Sequence, residues 1–200
     1  MLILSGGGDP EQVRPIDEFF AAQINKTQKV LYIPVAMERE AFTYKQCLDW
    51  FTSTYDHFGI RNIEMLTDLS GAYIPADTAA VFIGGGNTYK LLKEMRDSGF
   101  DKKLLAFLNS GGIVYGGSAG AMIFGKTLET EIHTGSRNYG LTDLSGLNQL
   151  NGYDLWCHYT PEEDSLISEY HHPLYILSEE SGLIVRNGEV APIGAMYYKK

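Results

Sequence analysis

The chain has 200 residues, 44% of them hydrophobic and 20% charged, with a formal charge of −9 and a pI near 5.0. That balance excludes disordered, collagen-like and coiled-coil chains, and the length suits one domain, residues 1–200, with its own core. The acidic surface repels phosphate backbones, and no apolar run approaches the ~20 residues that cross a bilayer, so neither nucleic acid nor a membrane is an expected partner.

In chain order, Leu2–Leu4 predicts a first strand that stops at Gly6–Gly8. Pro15–Ile24 has helical spacing through Ile16, Phe19, Phe20 and Ile24. Val30–Ile33 is the next apolar run, and Phe42–Phe58 is helical, with Leu48, Phe51, Tyr55 and Phe58 on one side. Ile63–Leu66 and Ala79–Ile83 predict strands, the second ending in Gly84–Gly86. Thr88–Met95 and Lys102–Leu108 predict helices, Ile113–Tyr115 a buried strand, and Ala119–Phe124 the start of another helix. Tyr153–His158 and Tyr175–Leu177 predict later strands, with a helix from about Pro161 to Tyr170 between them. Gly182–Arg186 and Val190–Ile193 flank Asn187-Gly188, a strong hairpin signal.

Solidly apolar strands separated by helices predict an α/β fold. The expected form is a single doubly wound, mostly parallel sheet of flavodoxin-like type, with helices on both faces and a C-terminal hairpin. Such sheets carry their sites at the carboxyl ends of the strands. The glycine-rich breaks at Gly6–Gly8, Gly84–Gly86 and Gly116–Gly120 should therefore gather there. Two cysteines, Cys47 and Cys157, make no disulfide framework. The start of the chain is too short in apolar residues for a signal peptide and has no basic leader, so the expected location is cytoplasmic.

The sharpest local pattern is Gly116-Gly117-Ser118-Ala119-Gly120-Ala121, which fits G-x-S-x-G. A strand must reverse into a helix there, with Ser118 at the strained apex and small neighbours that avoid collision. Amides at the helix start could hold an oxyanion. The plainer reading is a glycine-rich turn with a serine cap. Gly84-Gly85-Gly86-Asn87-Thr88 also ends a strand and opens a helix. Its bare glycines could bring amides to a developing negative charge, or the segment could be a helix entry capped by Asn87 or Thr88. It is neither a dinucleotide fingerprint nor a phosphate loop, because Tyr89 follows and no Gly-Lys-Ser/Thr does.

A serine nucleophile needs a base. His158 ends the run Leu155-Trp156-Cys157 and so shares an edge with Ser118; His133 and His172 are the other candidates. His57 lies on an amphipathic helix, and His171 follows a helix end. Cys157 should face away from its neighbour His158 and into the core. For the orienting acid, Glu131, Asp143, Asp154 and Glu179 all stay open. Arg137, in a long polar stretch, is a candidate clamp for a substrate carboxylate, and Tyr139, Trp156 and Tyr159 are candidate pocket walls. No metal-ligand spacing is present, so neither a metal nor another cofactor is expected.

Ile83–Thr88, Gly116–Ala121 and His158-Tyr159 together resemble the dipeptidase E / cyanophycinase family of serine peptidases, over nearly the whole chain. The resemblance implies a fold like that of class I glutamine amidotransferases, with Ser118 where those relatives carry cysteine. It implies Ser118 as nucleophile and His158 as base. The Gly85 and Gly86 amides, with that of Ala119, would form the oxyanion hole. Glu179, within Ser178–Leu183, matches the family glutamate that would be the acid. An aspartate between nucleophile and base, assigned in some members, has no match among Glu129, Glu131 and His133. Met122 stands where the dipeptidase branch has asparagine. The implied activity is hydrolysis of short peptides, N-terminal Asp-Xaa dipeptides among them, without a cofactor; a homodimer stands as one option for assembly. The alternative is a non-catalytic binding module for a small molecule or peptide on the same fold. An esterase of α/β-hydrolase type fits less well, because there the acid precedes the histidine.

Overall fold

The structure, a computed structural model, describes residues 1–38 and 40–200, the side chain of His133 excepted. Seven strands form the main sheet: β1 (Leu2–Ser5), β2 (Lys29–Ile33), β3 (Ile63–Met65), β4 (Thr78–Ile83), β5 (Ile113–Gly117), β8 (Gly182–Arg186) and β9 (Glu189–Ile193). Their order is β3-β2-β4-β5-β1-β8-β9. The first five are parallel, and β8 and β9 are antiparallel additions on the β1 side. Asn187 and Gly188 turn the β8–β9 hairpin with φ of 53° and 80°. Two positive angles suit the right-handed twist of the flanking strands, which is why this dipeptide works there.

Side chains alternate across the sheet, so each strand feeds two cores. Leu2 and Leu4, Leu31 and Ile33, Val81 and Ile83, and Val114 face one side. There they meet α3 (Thr88–Ser98), α4 (Phe100–Asn109) and α5 (Ala119–Met122). Ile3, Tyr32, Ala80, Phe82 and Tyr115 face the other side, against α1 (Arg14–Gln23) and α2 (Tyr44–Tyr55). The continuous apolar runs of the sequence are therefore runs buried on both faces. The expected α/β class, mostly parallel sheet and C-terminal hairpin are all present.

The later strands divide differently from expectation. β6 (Asp154–Trp156) and β7 (Leu174–Leu177) do not join the main sheet; they form a second one with β10 (Met196–Lys199), in the order β10-β7-β6. The reason is edge occupancy. β1 already pairs with β5 on one side and β8 on the other, so no place beside it is left for β6. The small sheet packs Leu155 and Leu177 on the main core. Its Trp156, Leu174 and Ile176 meet Ile167 and Tyr170 on and just after α6 (Asp164–Glu169).

Helix ends differ in smaller ways. α4 begins at Phe100 rather than Lys102, because Gly99, at φ 68°, ends α3 and lets the chain turn straight into the next helix. α2 begins after Thr43, whose side chain forms a reciprocal capping pair with Gln46. Its buried stripe uses Cys47 rather than Leu48 beside Phe51 and Tyr55.

Candidate active site

The order β4-β5-β1 sets three strand ends side by side, and each ends in glycines. At the end of β5 the chain reverses at Ser118, with φ 51° and ψ −115°. This is a strained conformation for a residue with a side chain, held by what surrounds it. The Ser118 amide donates to Ser5 O at 3.1 Å, and Ser118 O accepts from the amides of Ala121 and Met122. The flanking glycines are steric necessities. A Cβ on Gly116 would lie 2.2 Å from Gly120 O, and one on Gly120 would lie 2.4 Å from Ile83 O. The sharp turn pushes the Ser118 side chain out of the backbone, where it is half-buried.

Ser118 Oγ lies 2.7 Å from His158 Nε2, and His158 Nδ1 lies 3.2 Å from Glu179 Oε1. The histidine follows β6 in a left-handed conformation, φ 57°, and its amide donates to Gly6 O at 3.2 Å. That turn carries the ring back over the β1–α1 loop. Glu179 follows β7, so the ends of two small-sheet strands supply both the histidine and its carboxylate partner. Its other oxygen accepts from Gln12 Nε2 at 2.9 Å. The hydrogen bond from Gln12, then that from His158, holds the Glu179 carboxyl below the usual carboxylate range. It is thus an anion at neutral pH, facing a ring nitrogen that can donate to it.

The first glycine-rich loop threads between these groups. A Cβ on Gly7 would stand 2.6 Å from His158 Cε1 and 2.7 Å from Ser118 Cβ. The second loop lies over the serine: a Cβ on Gly85 would stand 3.2 Å from Ser118 Cβ. Among the described residues, the amides of Gly85, Gly86 and Ala119 find no acceptor. Nothing else among the described residues claims those donors.

The other candidates lie elsewhere or serve other contacts. Asp154, fully buried, accepts from Thr127 Oγ1, Tyr170 OH and His172 Nδ1, which accounts for both Asp154 and His172 as structural partners. Asp143 lies near Arg96 on the surface. Glu131 is buried below the serine but is held by Thr88 and Thr134. Burial, and then the nearby Glu131 charge, push the Cys157 thiol far up, as befits a core residue. His57 and His171 are exposed, and the His133 side chain lies outside the described residues.

The Arg137 guanidinium stacks over the Tyr139 ring at 4.7 Å and lines neither cavity at the serine. The backbone is what that residue contributes, since Arg137 O accepts from Asn87 Nδ2 at 2.9 Å. Tyr139 donates to Glu38 and Tyr159 to Asp164. Trp156 lines the smaller of two cavities that meet at Ser118, about 260 Å³, with Met122, Glu131 and Glu163. The larger, about 530 Å³, opens toward α2. Gln12 is the site residue that sequence reading missed; nothing in its local pattern marks it. In the sequence Gly7 stands out only as part of a glycine-rich break.

Among the described residues, no group of three or more His, Cys, Asp and Glu side chains could hold a metal ion. No helix among them is long and apolar enough to cross a membrane.

The chain is 33% identical over 115 residues to Peptidase E of Citrobacter koseri, covering 52% of this chain. It is 27% identical over 146 residues, 68% of this chain, to Peptidase E of Salmonella typhimurium. The chain spans about half the length of the curated relatives it matches, 48% and 56% of these two. In fold it is similar to the crystal structure of a Listeria monocytogenes protein, with a TM-score of 0.77, 24% identity and 96% of each chain covered. A peptidase from an acI-B1 Actinobacterium superposes with a TM-score of 0.68 at 17% identity, over 97% of this chain and 87% of that one. The description "Peptidase family S51" fits residues 1–193, a span that runs through all three glycine-rich turns and past Glu179; the chain belongs to that family.

Proposed function

We propose that residues 1–200 form one serine peptidase domain that hydrolyses short peptides in the cytoplasm, without a cofactor. Ser118 Oγ attacks the scissile carbonyl carbon and gives its proton to His158 Nε2. The carbonyl oxygen, now negative, is held by the amides of Gly85, Gly86 and Ala119. The carbon–nitrogen bond breaks as His158 returns that proton to the leaving amine. Water then loses a proton to His158, attacks the acyl ester and frees the acid, and the proton goes back to Ser118. Glu179 keeps the imidazole in the tautomer that can accept at Nε2 and steadies the imidazolium.

The observation that carries this reading is the continuous contact Ser118–His158–Glu179, at 2.7 and 3.2 Å, on a serine held at positive φ. Membership of family S51 and the name Peptidase E of its relatives support it. The narrower preference for N-terminal Asp-Xaa dipeptides calls for a cation to meet the aspartate. Among the described lining residues of both cavities there is no Lys or Arg. The substrate class proposed is short peptides, with Asp-Xaa dipeptides as members of the test set.

Peptide hydrolysis by wild type and Ser118→Ala, with labelling by a serine-directed phosphonate, tests this. Turnover should fall by several powers of ten in the variant, about 10⁴-fold or more, and labelling should vanish. Equal turnover in both, or a wild type that neither labels nor cleaves, leaves the binding-module reading instead.

A further inference from the structure

The larger cavity, about 530 Å³, runs from Ser118 and Gly85 outward beneath α2. Its walls are aromatic faces: Tyr32, Phe82 and Tyr115 from three strands, Phe42 just before α2, and Trp50 and Tyr55 on it. Its size falls in the range of small-molecule sites, roughly 300–1,000 Å³. Among its described lining residues, Asp49 is the one charged side chain, and it is paired with Lys45. Phe42 and Trp50 stand at the mouth, 52% and 44% exposed, two of the few large apolar side chains this protein leaves in water. Apolar surface left exposed at the rim of a concave site is surface that a ligand can cover.

We propose that this cavity is a side-chain pocket for a large apolar or aromatic residue next to the scissile bond of a short peptide. The proposal names the substrate class of the site described above and rests on that reading for its catalytic consequence. A phenylalanine side chain entering here removes its own ring and those of Phe42 and Trp50 from water, and edge or stacked ring contacts add to that. An aspartate side chain is too short to cover those rings. It would give up hydration without gaining a described cationic partner. An alanine leaves the walls wet.

The test separates binding from turnover. Ser118→Ala protein is titrated with tripeptides that carry Phe, Ala or Asp at each position in turn, on an otherwise Ala and Gly background. At one position the Phe peptide should bind about tenfold or more tightly than its Ala and Asp counterparts. Its binding should shift the Trp50 fluorescence. In the Trp50→Phe background, which keeps a ring at the mouth, that shift should vanish while the Phe preference persists. Phe42→Ala, at an exposed site that can lose its ring without unfolding the core, should narrow the preference to about threefold or less.

Equal affinities for Phe, Ala and Asp at every position overturn the pocket, as does tighter binding of Asp. Wild-type kinetics then tell the two readings apart. Short-peptide hydrolysis with no gain from Phe leaves the peptidase standing and removes the pocket. Phe-selective binding by a protein that neither hydrolyses nor labels keeps the pocket and removes the peptidase.

Discussion

Glu179 illustrates how much one side chain's role depends on what faces each of its two oxygens. One accepts from Gln12 and the other faces His158. Both neighbours are donors, so a carboxylate satisfies both and an amide cannot. In Glu179→Gln the new NH₂ group must point at either Gln12 Nε2 or His158 Nδ1. The ring then loses its anionic partner or adopts the wrong tautomer. The expected outcome is a fall in kcat of about 10³–10⁴-fold with the fold retained, read from steady-state kinetics and a thermal melt. Ser118 was legible because its requirements are local: the glycines that make room for it stand two positions to either side. Gln12 was not, because its meaning comes from a partner 167 positions away.

The loop between β1 and α1 does for the site what no single side chain could. It lies between the main sheet and the small one, accepting the His158 amide at Gly6 and donating to Glu179 O through Gly8. Gly7 sits at φ 100° with the serine and histidine side chains where its Cβ would be. Gly7→Ala should therefore destabilise the fold by only about 1–3 kcal/mol and yet, on the proposed function, cut kcat/KM by about 100-fold or more, because the methyl group parts Ser118 from His158. Kinetics alongside a denaturation curve would check the pair of effects; unchanged turnover would contradict the contact. Most strands and helices of this protein were readable in advance, since apolar runs and helical spacing are local. The second sheet was not. β6 and β7 have the same apolar character as main-sheet strands, but the place beside β1 is taken by β8, and β6 pairs with β7 instead.

The molecule as a whole also carries a buried carboxyl that makes no contact with Ser118 or His158. Asp17 on α1 accepts from Tyr55 OH at 2.9 Å and Tyr115 OH at 2.8 Å, joining α2 and β5 beneath the larger cavity. Burial pushes its carboxyl up to about 6, against the two tyrosine hydrogen bonds that pull it down. A carboxyl that is weaker in the folded state binds its proton more tightly there than in the unfolded chain. The associated stability is fully present below about pH 4 and is lost as the pH rises through about 6. The size is about 3 kcal/mol for a shift of roughly two units. Asp17→Asn removes this titration. Its stability relative to wild type should improve by about 2–3 kcal/mol between pH 4 and 7, measured by chemical denaturation at each pH. A constant difference across that range would show that Asp17 does not titrate there.

Spacing along the chain was enough to specify the two-faced sheet, the turn at Ser118 and the glycine loop over it, because each depends on residues within a few positions of one another. It put His158 ahead of His133 and His172 by its place at a strand end, and left four acids on equal terms. Folding sets their contacts: the small sheet brings His158 and Glu179, 21 positions apart, within reach of each other, and it buries Asp154 against Thr127 and Tyr170. A hydrogen bond is made across space rather than along sequence, so those contacts needed the tertiary structure.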